Sequence, residues 1–193
     1  TQNSPNMKKT ITFVILVLCM FTVSAQFVTT PGDYTIKNLD INTKESDFGT
    51  AFLGKDKVIF AAPTTNTMIV RKTWAESGQQ FLDLYTGLIT EDRQVIQKKN
   101  MPGDVNTKYH EAGVSVTKDL KTIYYTANNY YEKQYLTESS GVNNLQLFRA
   151  SLDLAGNWIE KEKLPFNDVE YSLGHPALSH DDTKLYFVSD MPG

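Results

Sequence analysis

A chain of 193 residues has room for one domain of ordinary size, or for a piece of something larger. A net charge of −3 with 21% charged residues gives neither the basic footprint of a nucleic-acid binder nor an acidic tail. Ten Tyr and ten Phe exclude a disordered composition and supply side chains that suit a pleated sheet.

In chain order, Met7 is followed by Lys8 and Lys9, an apolar run from Ile11 to Val23, and Val23-Ser24-Ala25 before Gln26. A positive start, a short apolar stretch and a small-residue cleavage site predict a signal peptide removed after Ala25, hence export to the periplasm or the periplasmic face of an outer membrane. The run is about 13 residues, short of the roughly 20 that a membrane-crossing helix needs. Cys19, the single cysteine, lies inside this stretch between Leu18 and Met20-Phe21, which argues against lipidation there. Cleavage leaves a mature chain with no disulfide and no thiolate chemistry. Residues 26–37 read as a linker, and 38–193 as the folded part.

Three copies of one hairpin follow. Gly49-Thr50-Ala51-Phe52-Leu53 turns through Gly54 to Lys57 into Val58-Ile59-Phe60-Ala61. The pattern returns as Gly113 to Thr117 with Thr122 to Thr126, and again as His175 to Ser179 with Lys184 to Val188. Two further strands complete each of the first two copies: Phe81 to Ile89 with Val95 to Lys99, and Leu145 to Leu152 with Trp158 to Lys163. Pro102 and Pro165 stand 63 residues apart at matching positions. Four antiparallel strands per period of roughly 60 residues is the plan of a propeller blade lengthened by loop insertions. The fold expected is therefore all-β, a partial β-propeller of about two and a half four-stranded blades with units near 38–102, 103–165 and 166–193. The last unit ends after its first hairpin, so further chain is expected beyond Gly193.

Candidate functional residues fall on two long inserts between the second and third strands of the units. One runs from Pro63 to Gln80 and carries Arg71, Lys72 and Trp74; the other runs from Asn128 to Asn143 and carries Tyr130, Tyr131 and Tyr135. By repetition both leave from the same end of their blades, and Tyr, Trp and Arg on loops held by a rigid scaffold are favoured binding groups. No catalytic residue, cofactor or metal is expected. His110, His175 and His180 lack a ligand set of familiar spacing and read as hydrogen-bonding residues at strand starts and turns, and Asp181-Asp182 reads as a solvated turn. There is no Gly-x-Ser-x-Gly elbow and no Gly-rich phosphate loop.

The hairpin from His175 to Asp190 resembles the TolB-type, WD40-like propeller repeat, with His180-Asp181-Asp182 where that repeat usually has Pro-Asp-Gly. Asp47-Phe48-Gly49-Thr50-Ala51-Phe52, Phe81-Leu82-Asp83-Leu84-Tyr85, Tyr125-Thr126-Ala127-Asn128-Asn129, Asn143-Asn144-Leu145-Gln146-Leu147-Phe148 and Leu164-Pro165-Phe166-Asn167 resemble the front half of OmpA-family envelope proteins of Bacteroidetes. That resemblance implies a non-enzymatic cell-envelope scaffold whose partner is an envelope or outer-membrane protein, in the setting of type IX secretion or gliding. It implies peptidoglycan contact only through a C-terminal domain that this chain does not contain. The regulatory propeller of an exported serine peptidase and a carbohydrate-binding module are the other readings, and none involves nucleic acid.

Overall fold

The structure, a computed structural model, describes residues 32, 34–64, 73–75 and 77–193. The leader, its cleavage site and Cys19 lie outside these residues, as do Arg71 and Lys72. Within the unit Asn38–Gly193 every strand pairing is antiparallel, and no helix occurs among the described residues.

The first sheet holds β1 (Phe48–Phe52), β2 (Lys57–Pro63), β3 (Leu82–Ile89) and β4 (Val95–Asn100) in that spatial order. The second repeats it with β5 (Glu111–Val116), β6 (Thr122–Asn128), β9 (Leu145–Leu152) and β10 (Trp158–Lys163). A third unit is the hairpin β11 (Leu173–Leu178) and β12 (Leu185–Ser189). Within the β6–β9 connection lies a small extra hairpin, β7 (Tyr130–Tyr131) and β8 (Gln134–Tyr135), which the composition of that segment did not announce. The expected strands are present with ends close to those read from the sequence, and none of the sheets closes on itself.

The first strand of each hairpin starts earlier than expected. β5 begins at Glu111 because Gly113 does not open the strand; it sits inside it, at φ 55°, where the register slips between Ala112 and Val114. Gly49 at φ 71° and His175 at φ 55° occupy the matching slips of β1 and β11. A left-handed residue in a bulge bends and twists a strand, and a glycine read as a boundary was a bulge. The outer strands repeat the device with Gln97 and Glu160, both at φ 55°.

Turn chemistry repeats as well. The Thr117 hydroxyl donates to Asp119 at 2.6 Å, the Ser179 hydroxyl to Asp181 at 2.6 Å, and the Thr90 hydroxyl to Asp92. The next residue turns left-handed in each case, with Leu120 at 60°, Asp182 at 57° and Arg93 at 63°. Asp182 thus takes the conformation for which glycine is the usual choice, and a short polar side chain tolerates it. Donors from Ser179 and Thr183 hold the Asp181 carboxyl down at about 2.

The two faces of each sheet have different partners. Phe60 and Tyr85 stack at 6.1 Å with the Lys98 ammonium 4.1 Å from the Tyr85 ring, and Val58 and Ala62 share their face. Tyr125, Phe148 and Lys161 reproduce that trio in the second sheet, with ring centroids 5.8 Å apart and the ammonium 4.4 Å from Phe148. In the second sheet this face is buried in one core with Ile59, Ala61 and Leu84 from the opposite face of the first. Each strand therefore sends alternate residues to unlike neighbours, as the two-residue period of a strand requires.

The connection from β4 to β5 is tied back to β3 by the Met101 N–H, which donates to the Leu84 carbonyl at 3.0 Å, and by the Asn106 amide. Asn106 Oδ1 accepts from the Leu84 N–H at 2.7 Å, and its Nδ2 donates to the Leu84 carbonyl at 2.9 Å. Asn167 does the same for Leu147, at 3.2 and 2.6 Å. Gly103, at φ 100°, touches the start of β10 so closely that a Cβ there would stand 2.1 Å from the Trp158 carbonyl oxygen.

Candidate binding cavity at the loop end

The β2–β3 and β6–β9 connections emerge from corresponding strand ends. In the first, Trp74 N–H donates to the Gln79 carbonyl at 2.8 Å and Gly78 N–H to the Trp74 carbonyl at 2.8 Å, closing a tight turn that Thr73 and Gln80 bridge at its base. In the second, the Asn143 amide is fully used. Its oxygen accepts from Asn128 Nδ2 and Asn129 N–H, both at 2.9 Å, while its nitrogen donates to the Leu136 and Asn129 carbonyls. These bonds hold the loop over the end of β6 by giving the Asn129 N–H and the Asn129 and Leu136 carbonyls a side-chain partner.

Aromatic rings join the two connections. Trp74 meets His110 edge to face at 5.4 Å, His110 lies 4.7 Å from Phe81, and Phe81 meets Tyr109 at 5.6 Å. Tyr109 in turn packs on Tyr135 at 4.5 Å and Tyr130 at 5.2 Å, with the Lys108 ammonium 4.9 Å from the Tyr130 ring. His110 is the hinge of this chain. Its backbone N–H donates to Asn128 Oδ1 at 3.0 Å, and its ring Nδ1 accepts from the Leu82 N–H at 3.2 Å. An accepting Nδ1 is unprotonated, and burial pushes the imidazole pKa down, so the ring is neutral at physiological pH.

Between the connections lies a cavity of about 740 Å³, within the range of ligand sites. Trp74 and Tyr135 line it and remain 41% and 47% exposed, and Phe48, Val142 and Leu145 add further exposed apolar surface. His110 lies on one side and the exposed His175, from the bulge of β11, on another. The described lining carries no Asp, Glu, Lys or Arg.

Of the residues expected to bind, Trp74 and Tyr135 reach the cavity. Tyr130 stands one ring behind, against Tyr109. Tyr131 points the other way, packing on Phe148 at 6.1 Å beside the core, with the Lys163 ammonium over its face at 5.8 Å. This follows from the strand period: adjacent residues of β7 cannot share a face. His110, Phe81, Tyr109 and His175 were not among the expected binding residues. The aromatic pairs at the entries to β3 and β5 were the available signal for the first three.

A second polar group lies deeper, between the first two sheets. Glu111 is fully buried and accepts from the Thr107 hydroxyl at 2.6 Å, and burial pushes its carboxyl up to about 8. Burial also pushes the nearby Lys161 ammonium down. Among the described residues no group of three or more His, Cys, Asp or Glu is placed to hold a metal ion. A scan against protein-family models and searches of curated proteins and of solved structures find no match to this chain.

Proposed function

We propose that this chain belongs to an exported β-propeller of the bacterial cell envelope, a non-catalytic scaffold that docks an envelope or outer-membrane partner at its loop end. The observation that carries the docking site is the convergence of five exposed large apolar side chains from separate segments on one cavity. Scattered singly, such residues need no explanation; gathered round one concavity they mark an interaction site.

The propeller reading draws support from the order of packing. The Phe60-type face of the second sheet lies against the Ile59-type face of the first, so the contact is head to tail. A contact of that kind repeats with constant rotation and forms a ring when the rotation closes. Tyr186 and Val188 of β12 hold the positions of Ile59 and Ala61 and are 58% and 63% exposed, the surface on which a further sheet would pack. Export and the envelope setting rest on the leader pattern and on the resemblance to OmpA-family proteins.

The test is affinity capture from an envelope extract with the full-length protein as bait. Trp74→Ala with Tyr135→Ala is expected to abolish recovery of the partner while the melting temperature stays within a few degrees of the parent. Undiminished recovery would remove the loop end as the docking face.

A further inference from the structure

The asparagine that ties each connection to the sheet behind it occurs a third time, with nothing to hold. Asn106 and Asn167 bind both backbone groups of one residue on the third strand of the preceding sheet, Leu84 and Leu147. Leu164 to Asn167 does so from a compact turn: Asn167 N–H donates to the Leu164 carbonyl at 3.1 Å, and Leu164 N–H to the Leu147 carbonyl at 3.3 Å. Leu39 to Asn42 builds the same turn ahead of the first sheet, with Asn42 N–H donating to the Leu39 carbonyl at 3.1 Å. An apolar residue precedes each asparagine: Val105, Phe166 and Ile41. Asn42 is exposed, and among the described residues neither its side-chain amide nor the Leu39 N–H meets a partner.

The surface beside this turn supplies a second observation. Ile41, Thr50, Val58, Phe60 and Val95 line an open cavity of about 100 Å³ together with Asn42. The residues at the same positions of the second unit are Val105, Val114, Ile123, Tyr125 and Trp158. All five are buried in one core with Ile59, Ala61 and Leu84 of the first sheet. The space that the preceding sheet fills in the second unit is therefore open in the first. Thr50 is exposed where Val114 is buried, and Ile41 and Val95 are half-buried where Val105 and Trp158 are buried.

Chain order identifies the occupant. β4 leads into Asn106 and β10 into Asn167, so each asparagine holds the sheet whose fourth strand has just ended. Ahead of Asn42 stand Tyr34 and Ile36, apolar at alternate positions and 90% and 94% exposed, the pattern of a strand with one face to bury.

We propose that the first sheet is the landing face for the sheet that closes the ring, a further copy of this repeat in the same polypeptide, and that Asn42 clamps its third strand as Asn106 clamps Leu84. Side chains at the Ile59, Ala61 and Leu84 positions of that sheet fill the cavity, and residues 34–37 supply its fourth strand. The amide reads a main-chain N–H and carbonyl, so it selects an extended strand in register whatever side chain that residue carries. The proposal rests on the propeller reading and locates the seam at which the ring closes.

The experiment follows alkylation of Thr50→Cys by N-ethylmaleimide in the full-length protein, with Lys55→Cys on the β1–β2 turn as the exposed control and mass spectrometry as the readout. Thr50→Cys should react at least about a hundredfold more slowly than Lys55→Cys at every protein concentration, because reaction there waits on local opening. Adding Asn42→Ala should speed it by about tenfold or more, since the clamped N–H loses its acceptor and opening becomes easier. Asn42→Ala alone should lower the melting temperature, whereas loss of an exposed amide that holds nothing would change neither reading. If Thr50→Cys is protected and Asn42→Ala alters neither its rate nor the melt, the clamp falls and the ring stands. If Thr50→Cys reacts as fast as the control, no sheet lands on this face, and the propeller reading falls with the proposal. Protection that fades on dilution, with a matching fall in mass by light scattering, would assign the face to a second copy and overturn closure within one polypeptide.

Discussion

Removing the Asn106 amide tests how the connection between sheets is held. Leu84 is fully buried; its N–H ends on Asn106 Oδ1 at 2.7 Å, and its carbonyl accepts from Asn106 Nδ2 at 2.9 Å and from the Met101 N–H at 3.0 Å. Asn106→Ala leaves the buried Leu84 N–H without a partner, at about 1–3 kcal/mol, while the carbonyl keeps its bond from the Met101 N–H. The expected loss is about 1–3 kcal/mol, a large share of a typical domain's stability. Asn106→Asp distinguishes this from a general effect of mutation. A carboxylate still accepts from the Leu84 N–H but cannot donate to the Leu84 carbonyl, so the variant should keep more stability than alanine at neutral pH and gain further in acid, where the protonated group donates again. Urea unfolding followed by tryptophan fluorescence reads both, with the m value checked for constancy. An Asn106→Ala midpoint within about 0.5 kcal/mol of the parent would refute the clamp, because surface substitutions produce changes of that size.

Other positions give shorter tests. Gly103→Ala places a Cβ 2.1 Å from the Trp158 carbonyl oxygen at a left-handed φ, so the protein should lose its cooperative thermal transition in calorimetry or express only as aggregate. Glu111 keeps its proton in the folded state up to about 8, where an unfolded chain releases it near 4.5. Its contribution therefore falls as pH rises between those values and is flat beyond them. Glu111→Gln should raise stability at pH 7 by about 2–3 kcal/mol and leave it unchanged near pH 4, read from melting curves at the two pH values. Tyr131→Ala should lower stability by about 2 kcal/mol and leave partner capture intact, whereas Tyr135→Ala should do the reverse.

The strands were legible because each is short, dense in β-branched and aromatic residues, and bounded by turn residues such as Lys118-Asp119-Leu120-Lys121 and Gly156-Asn157. Pro102 and Pro165, 63 residues apart, carried the repeat, and Phe148, at the position Tyr85 holds in the first unit, packs between the first two sheets. The bulges escaped. A bulge shifts the face of every residue before it, yet its signature is one left-handed residue, which at both Gly113 and His175 looks like a strand boundary. The cavity was half legible. Loop composition pointed to Trp74 and Tyr135, but the alternation that turns Tyr131 inward belongs to the two-residue strand β7, too short to be read as one. His110 joined the site through a hydrogen bond to Leu82, 28 residues away in sequence, a proximity set by sheet pairing and by no local pattern.

Hydrogen exchange of the full-length protein, with and without the partner recovered by capture, tests the docking face most directly. Protection confined to residues 73–82, 109–113 and 128–145 is the predicted result. Protection centred on the opposite strand ends, at the turns of residues 117–121 and 179–183, with the loop end exchanging as freely as before, would contradict it.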